Sequence, residues 1–422
     1  MKIVVQGLWH LGCVTAACSA RHFDVVGLDF DPTTIASLRR GQAPLAEPGL
    51  NELISAGLAA GKLSFTSDAS QACASADVLW VTYDTPVNDD DVSDLAAVLS
   101  PLKRALPFLR SGAIVLISAQ LPVGTCAALE KEFPNLQFAS SPENLRLGKA
   151  LDAFEKAERV IIGTRDDKPR KLLTTLFAPF TSQVIFMRTE SAEMVKHALN
   201  SFLALSITFI NEVARLCEHT GADAKEVAQG LKSEPRIGPR AYLGPGGPFA
   251  GGTLARDVVT LSQIGAAKGE KLSVIPAIKQ SNDLHRGWSL RRLHAVLGGL
   301  QGRMIAVLGL VYTPGTDTLR RSAAVELCRA LIAAGARVQA FDPAVQTAST
   351  ELGGIVLAKS VAESLNGADA AVVCTEWPEF RQAEWVAATS AMRRRIIVDA
   401  NRFLEKQLAP VAGVEFISVG RT

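Results

Sequence analysis

Lys2-Ile-Val-Val-Gln-Gly-Leu-Trp-His-Leu-Gly12 opens the chain, and Asp24-Val-Val-Gly-Leu-Asp29 follows it. The first apolar run, Ile3–Val5, reads as a buried strand that breaks at Gly7 and passes into a helix. The second, Val25–Asp29, reads as a strand that ends on an acid about twenty residues beyond the turn. Strand, glycine turn, helix and strand with a terminal carboxylate is the order of a βαβ unit that binds a dinucleotide. The glycines let the backbone approach phosphates at a helix N-terminus, and the acid holds a ribose diol. Gly7, Gly12 and Asp29 are therefore candidate cofactor residues. The fingerprint asks for GxGxxG, whereas this chain has Trp9 at the second glycine. An indole there is expected to obstruct the pyrophosphate or shift it.

Outward from this unit, Val78–Thr82, Ala113–Ser118, Leu136–Ala139 and Val160–Gly163 alternate with amphipathic stretches, which predicts a parallel sheet. A single helical pattern then runs from Ser191 to about Ala222. Ser191 suits its N-cap, Glu193 its first turn and Gly221 its stop. Lys196 and Asn200 stand at i, i+4 on one face. Met194, Val195, Ala198, Leu199, Phe202 and Leu203 surround them in sequence, a setting in which a lysine needs a partner or a task. About thirty residues of helix span some 45 Å. Such a helix can join two domains and offer its apolar remainder to a second copy. After Gly302 the opening pattern repeats. Met304–Gly309 is strand and turn, a helix follows at about Ala323–Ala334, and Val338–Asp342 again ends on an acid. Ala370–Cys374 and Ile396–Asp399 complete the set. The expected fold is α/β, with two Rossmann-like doubly wound parallel-sheet domains joined by a long central helix. The boundaries fall at 1–190, 191–300 and 301–422.

The connector also holds Gly244-Pro-Gly-Gly-Pro-Phe-Ala-Gly-Gly-Thr-Leu-Ala-Arg-Asp257. So many glycines read as a loop shaped around a ligand. If a helix starts near Gly252, Thr253 and Asp257 lie one turn apart on its face. Val87–Asp94, with its acidic triplet, reads as an exposed loop. Composition sets the outer limits. A chain of 422 residues implies roughly two to three domains. Lys plus Arg number 44 against 42 acids, so no nucleic-acid footprint is expected. The seven cysteines are scattered with no CxxC pair, so neither zinc nor another metal nor a disulfide framework is indicated. No apolar run reaches membrane-spanning length, and cytoplasm is the expected compartment.

Further segments carry a family resemblance. Glu47-Pro-Gly-Leu50, Thr85-Pro86, Leu121-Pro-Val-Gly-Thr125 and Ser141-Pro-Glu-Asn-Leu-Arg-Leu-Gly148 come first in the chain. Ser191–Asn200, Phe209-Ile-Asn-Glu212, Arg236-Ile-Gly-Pro239, Ala306–Arg320 and Phe341-Asp-Pro343 follow in order. Over essentially its whole length the chain resembles the UDP-glucose/GDP-mannose dehydrogenase family. The resemblance implies an NAD domain, a central dimerisation region and a C-terminal domain for the nucleotide end of a sugar donor, with a UDP-sugar expected and a homodimer formed through the central helix. It implies Lys196 and Asn200 as stabilisers of alkoxide charge, Asp257 as a helper of proton loss, and Glu143 for the aldehyde or hydrolysis step. It places Gly7, Gly12, Asp29, Thr85, Pro86 and Arg320 with the cofactor. Arg236, Leu145 and Gly251 go with the substrate, Arg236 with that of a neighbouring subunit.

In that family a primary alcohol is oxidised twice, through a cysteine thioester within GGxCxPKD. Anchored on Asp257, the cysteine position is Thr253. A thiol ionises near neutrality, while a hydroxyl needs an adjacent base. Asp84, Gln120, Leu147, Thr313 and Arg256 also depart from the pattern. Three readings stay open. One is an NAD-dependent nucleotide-sugar oxidoreductase working without the covalent step, a chemistry for which a Lys/Asn helix also resembles the β-hydroxyacid dehydrogenases. The second is a catalytically degenerate nucleotide-sugar-binding or partner protein. The third recruits a cysteine from elsewhere, Cys126 being nearest in motif terms.

Overall fold

The computed structural model describes residues 1–421 apart from Asp89, Asn144, Arg146, Gly251, Arg320 and Ala348. The backbone divides into two compact units, Met1–Leu199 and Asn200–Thr422. The helix Thr189–Thr220 begins in the first and continues through the second.

Among the described residues the first unit holds eight strands. They are β1 (Lys2–Gln6), β2 (Asp24–Leu28), β3 (Leu63–Thr66), β4 (Val78–Val81), β5 (Ile114–Ile117), β6 (Gln137–Ser140), β7 (Val160–Gly163) and β8 (Val184–Met187). Their order is β3-β2-β1-β4-β5-β6-β7-β8. Strands β4 and β5 are buried along their whole length, as expected of parallel strands covered on both faces. Only β6 and β7 run antiparallel, meeting at Ser140 and Gly163. The order reverses direction between β1 and β4, and such a switch point opens a crevice at the carboxyl ends of both strands.

The second unit repeats the scheme with β9 (Met304–Leu308), β10 (Arg337–Phe341), β11 (Ile355–Leu357), β12 (Ala370–Val373), β13 (Ile396–Asp399) and β14 (Glu415–Ile417). All pairs are parallel, in the order β11-β10-β9-β12-β13-β14. Asp342, just past β10, is 1% exposed. Its carboxylate accepts the N–H groups of Leu310, Val311 and Ala344 and the indole N–H of Trp377. The acid read from the sequence as a strand terminus is thus the keystone of the β9 turn. Asp223 caps the helix Ala224–Ser233 and pairs at 2.7 Å with Arg402, whose side chain is 3% exposed. That contact fixes the helical region of this unit to its sheet.

Four strands escaped the sequence reading: β3, β8, β11 and β14. All are three or four residues long, too short to show a period. The long helix starts at Thr189, so Ser191 lies inside it and is not its N-cap. It ends at Thr220 before Gly221 at φ +77°, as the sequence predicts. The 87–94 segment is not simply exposed. Val87 bridges Ser93 and Asp91 is buried, because Asn88 accepts the N–H groups of Asp90 and Val92 and closes the turn.

Asp342→Asn would turn amide hydrogens toward backbone donors. Such a mismatch costs about 2 kcal/mol, and urea unfolding should show the loss; an unchanged midpoint would contradict the keystone role.

Candidate active site

The cofactor turn is built from two glycines that nothing else can replace. Gly7 sits at φ +97°, and a Cβ there would lie 2.7 Å from Tyr83; one on Gly12 would lie 1.9 Å from the Gly7 carbonyl oxygen. Asp29 closes the turn from the end of β2. One carboxylate oxygen accepts the Leu8 N–H at 2.7 Å and the other accepts the Asp31 N–H at 3.0 Å. Trp9 is the N-cap of the helix His10–Ser19, with φ −91° and ψ −153°. That is extended backbone open to any residue, so losing the second glycine adds bulk without strain. The indole is 48% exposed. No acidic side chain occupies the first helical turn, which leaves its N–H groups and dipole suited to a diphosphate. A glycine cradle, a strand-end acid and a helix start without acids fit a dinucleotide. Thr85 is buried and donates to the Gln120 carbonyl at 2.9 Å, tying the loops after β4 and β5 together. Pro86 and Asp84 are exposed, so the Asp84 charge is open to solvent screening.

The first turns of the long helix carry the catalytic candidates of the first unit. Glu193 is not a first-turn charge for its own helix. Its carboxylate accepts the N–H groups of Gly124 and Cys126 at 2.6 and 2.9 Å, capping the helix Thr125–Glu132. His197 Nε2 bonds the Leu121 carbonyl at 3.1 Å, and since that oxygen can only accept, Nε2 carries the proton. Between them Lys196 donates to the Glu143 carbonyl oxygen at 2.6 Å, with a Glu143 carboxylate oxygen at 3.9 Å. The Lys196 side chain is 11% exposed. Its partner is Glu143 and not the apolar residues that neighbour it in sequence; Met194, Ala198 and Phe202 are exposed because they lie on other faces of the helix. Leu145 gives its N–H to the Glu143 carboxylate at 2.5 Å. A cavity of about 20 Å³ beside Ser118, Gln120, Pro142, Glu193, Lys196 and His197 has room for one water.

In the second unit the glycine loop leads into the helix Thr253–Lys268, whose N-cap Gly252 adopts φ +98°. Thr253 is exposed, and among the described residues no hydrogen bond to its hydroxyl is formed. Asp257, one turn on, is fully buried and accepts from Asn200 Nδ2 at 2.5 Å. The loop itself is clamped along its backbone. Asn211 accepts the Gly246 N–H and donates to the Gly247 carbonyl. Asn282 does both for Phe249. Asn401 accepts the Gly247 N–H at 2.7 Å, and His285 Nε2 donates to the Gly246 carbonyl at 2.8 Å. Beside the loop lies a cavity of about 480 Å³ lined in part by Lys232, Tyr242, Leu243, Phe249 and Asn401. The side chain of Arg236 is 88% exposed and pairs with Glu234. Gly251 and Arg320 lie outside the described residues. Among those described, no group of three or more His, Cys, Asp or Glu could hold a metal, and no helix is long and apolar enough to cross a membrane.

Sequence reasoning missed Glu193 and His197 as loop anchors, and Asn211, His285 and Asn401 as clamps. Glu193, His197 and Asn211 stand inside quoted motifs; His285 and Asn401 carry no local signal. Cys126, the cysteine nearest in motif terms, is completely buried. Burial, and after it the Glu193 carboxylate, pushes that thiol well above its ordinary value, which removes it as a thiolate source.

Two doubly wound units, a glycine-and-acid dinucleotide turn, and a helix bearing Lys196 and Asn200 define a nucleotide-dependent dehydrogenase. Residues 1–181 match the NAD binding domain of the UDP-glucose/GDP-mannose dehydrogenase family, 190–284 its central domain, and 306–406 its UDP binding domain. The chain is 33% identical to the UDP-glucose 6-dehydrogenase of Rhizobium meliloti, covering 100% of both proteins. It is equally identical to TuaD, the UDP-glucose 6-dehydrogenase of Bacillus subtilis, covering 93% of that protein. The solved structure of a UDP-glucose dehydrogenase from Pyrobaculum islandicum superposes with a TM-score of 0.89 at 31% identity, over 100% of this chain and 98% of that one. A UDP-D-ManNAc dehydrogenase from Pyrococcus horikoshii gives 0.87 at 26%, over 100% and 99%. The chain belongs to the UDP-glucose/GDP-mannose dehydrogenase family, NAD-dependent oxidoreductases acting on the CH–OH of nucleotide sugars.

The clamp at His285 has a pH signature. Burial pushes this imidazole down to about 4, with Arg215 and Arg291 adding to the shift and the Gly246 carbonyl opposing it. The unfolded chain therefore binds a proton near pH 6.5 that the folded one refuses until about pH 4. Stability from this group is complete above roughly 6.5 and is lost as pH falls through that window, by up to about 3 kcal/mol. His285→Gln should flatten the dependence of unfolding free energy on pH between 4 and 6.5; an unaltered slope would show that His285 does not set it.

Proposed function

We propose that the protein removes one hydride from the primary alcohol of a UDP-sugar and releases an aldehyde. The observation that carries this reading is the contrast at the helix Thr253–Lys268: Asn200 and Asp257 keep their buried bond, while the position ahead of them holds an exposed threonine without a base. NAD, when bound, supplies the hydride acceptor. Lys196 Nζ, held by Glu143, and the Asn200 amide, held by Asp257, are preorganised to stabilise the alkoxide as the hydroxyl proton leaves. Asp257 draws the Asn200 amide hydrogens toward itself and fixes that side chain's orientation. The alcohol loses a hydride and a proton, giving one NADH and one proton per sugar. The Thr253 hydroxyl, several units harder to ionise than a thiol, cannot capture the aldehyde covalently at a useful rate. Further oxidation then proceeds slowly through the aldehyde hydrate, with Glu143 as the base.

Residues 1–190 serve NAD, with Gly7, Gly12, Asp29, Thr85 and Pro86 assigned to it. Residues 191–300 hold the catalytic loop and the dimer surface, and 301–422 hold the nucleotide of the sugar donor. The cavity of about 480 Å³ beside the glycine loop is of a size for part of a nucleotide sugar. Leu145 and Arg236 are assigned to the substrate, Arg236 to that of a second copy. An intact glycine cradle and a buried Asn200–Asp257 pair support catalysis over a purely binding role. All seven cysteines are unpaired, in keeping with the reducing cytoplasm.

A count of NADH per UDP-glucose consumed should give one equivalent in the fast phase, and Thr253→Cys should raise it toward two; a rapid two equivalents from the natural protein would exclude the single-step reading. The homodimer rests on Phe202, Phe209 and Leu216, seven residues apart on the long helix and 66%, 49% and 65% exposed. An exposed apolar seam at that spacing fits a second helix. Phe209→Asp should yield monomers in sedimentation velocity, and an unchanged sedimentation coefficient would remove the helix as the interface.

A further inference from the structure

Glu47 opens the Glu47–Leu50 motif, and its side chain is 1% exposed. Its two oxygens take three donors from two separate parts of the first unit. One accepts from His10 Nε2 at 2.8 Å and from the Gly148 N–H at 2.7 Å; the other accepts the Ala150 N–H at 2.9 Å. His10 is the first residue of the helix that follows the cofactor turn. Gly148 and Ala150 stand directly after the segment that carries Glu143 and Leu145. Gly148 adopts φ +83°, so the chain bends at the point where Glu47 grips it. A carboxylate this deeply buried is stable only while its donors stay in place. Movement of the helix start therefore strains its grip on residues 148–150, and movement of that segment loosens its grip on His10.

We propose that His10 and Glu47 are a positioning pair through which the cofactor turn sets the backbone at Gly148 and Ala150, and through it the Glu143 carbonyl that holds Lys196. Filling the turn with a dinucleotide firms the start of the helix, and Glu47 passes that order to the loop. The pair acts on the chemistry only through Glu143. Its cofactor arm rests on the NAD reading above, while its mechanical arm does not.

Amide hydrogen exchange at Gly148 and Ala150 reads both arms on the full-length protein. Without ligand, His10→Phe leaves both amides unaltered in sequence but removes the third donor to Glu47. Their exchange should accelerate about tenfold, the effect of losing one hydrogen bond to a charged group. His10→Gln, which restores a donor, should stay close to the natural rate. Amides of β5 should not respond in either variant. NAD, at a concentration shown by calorimetry to saturate, should then slow exchange at Gly148 and Ala150 in the natural protein and much less in His10→Phe. Unchanged exchange in His10→Phe overturns the mechanical pair. Calorimetric binding of NAD that leaves both amides of the natural protein unaffected overturns the coupling, and this measurement needs no variant should His10→Phe fail to fold. Failure of NAD to bind at all would instead count against the dinucleotide reading, leaving the ligand-free comparison to decide on the pair.

Discussion

The carboxylate of Glu193 sets the rotation of the long helix, and most of the site follows from that rotation. It reaches the N–H groups of Gly124 and Cys126, where a helix N-terminus offers the strongest local attraction for a negative charge. A helix pinned at one residue has little freedom left about its axis. Positions three, four and seven residues on share the face of Glu193, and these are Lys196, His197 and Asn200. Lys196 then meets Glu143, His197 meets Leu121, and Asn200 meets Asp257. The charge that caps a neighbouring helix thereby aims Lys196, one of the two donors assigned to the alkoxide.

A second constraint acts on the glycine loop. A segment so rich in glycine has a large conformational entropy to lose, and it contributes few side chains that could hold it. Backbone bonds to Asn211, Asn282, His285 and Asn401 do that work. At Gly246 the approach is close: a Cβ there would lie 2.0 Å from Asn401 Oδ1. Amide side chains suit the role because each can donate and accept at once, bracketing both sides of a peptide. His285 donates to the Gly246 carbonyl and, in the neutral form that burial favours, also accepts from Arg215.

What could be read in advance depended on how local each signal was. Gly7, Gly12 and Asp29 announced the βαβ unit because a turn of positive φ, a close helix–strand approach and a strand-end acid fall within one short stretch. The repeat at Gly309 and Asp342 was visible for the same reason. Lys196 and Asn200 were legible as a pair, since helical spacing fixes their face, but their neighbours were not. The apolar residues beside them in sequence point elsewhere, and the partner of Lys196 comes from a loop some fifty residues earlier. Glu193 was misread for a related reason: its donors belong to a different helix, and nothing in its own segment names them. Asn401 and His285 meet the glycine loop only through tertiary folding. Motifs that encode their own geometry survive inspection of a single sequence; side chains that serve a distant backbone do not.

Trp9 shows how a motif can lose a residue and keep its geometry. Of the three glycines in a dinucleotide turn, the first is needed for positive φ and the last for close packing. Both needs are present here at Gly7 and Gly12. The middle glycine serves only the nearness of the ligand, and the backbone at Trp9 is ordinary extended chain. Thr253 is the parallel case on the catalytic side. It keeps its place at the head of its helix, where a thiolate would be favoured by the helix N-terminus, yet offers a group that this field cannot ionise near neutrality. In both places the fold has preserved what the backbone requires and changed what only the side chain supplies. Under the proposed single oxidation the two positions have separate consequences: Trp9 bears on how a cofactor seats, and Thr253 on how many electrons each sugar gives up.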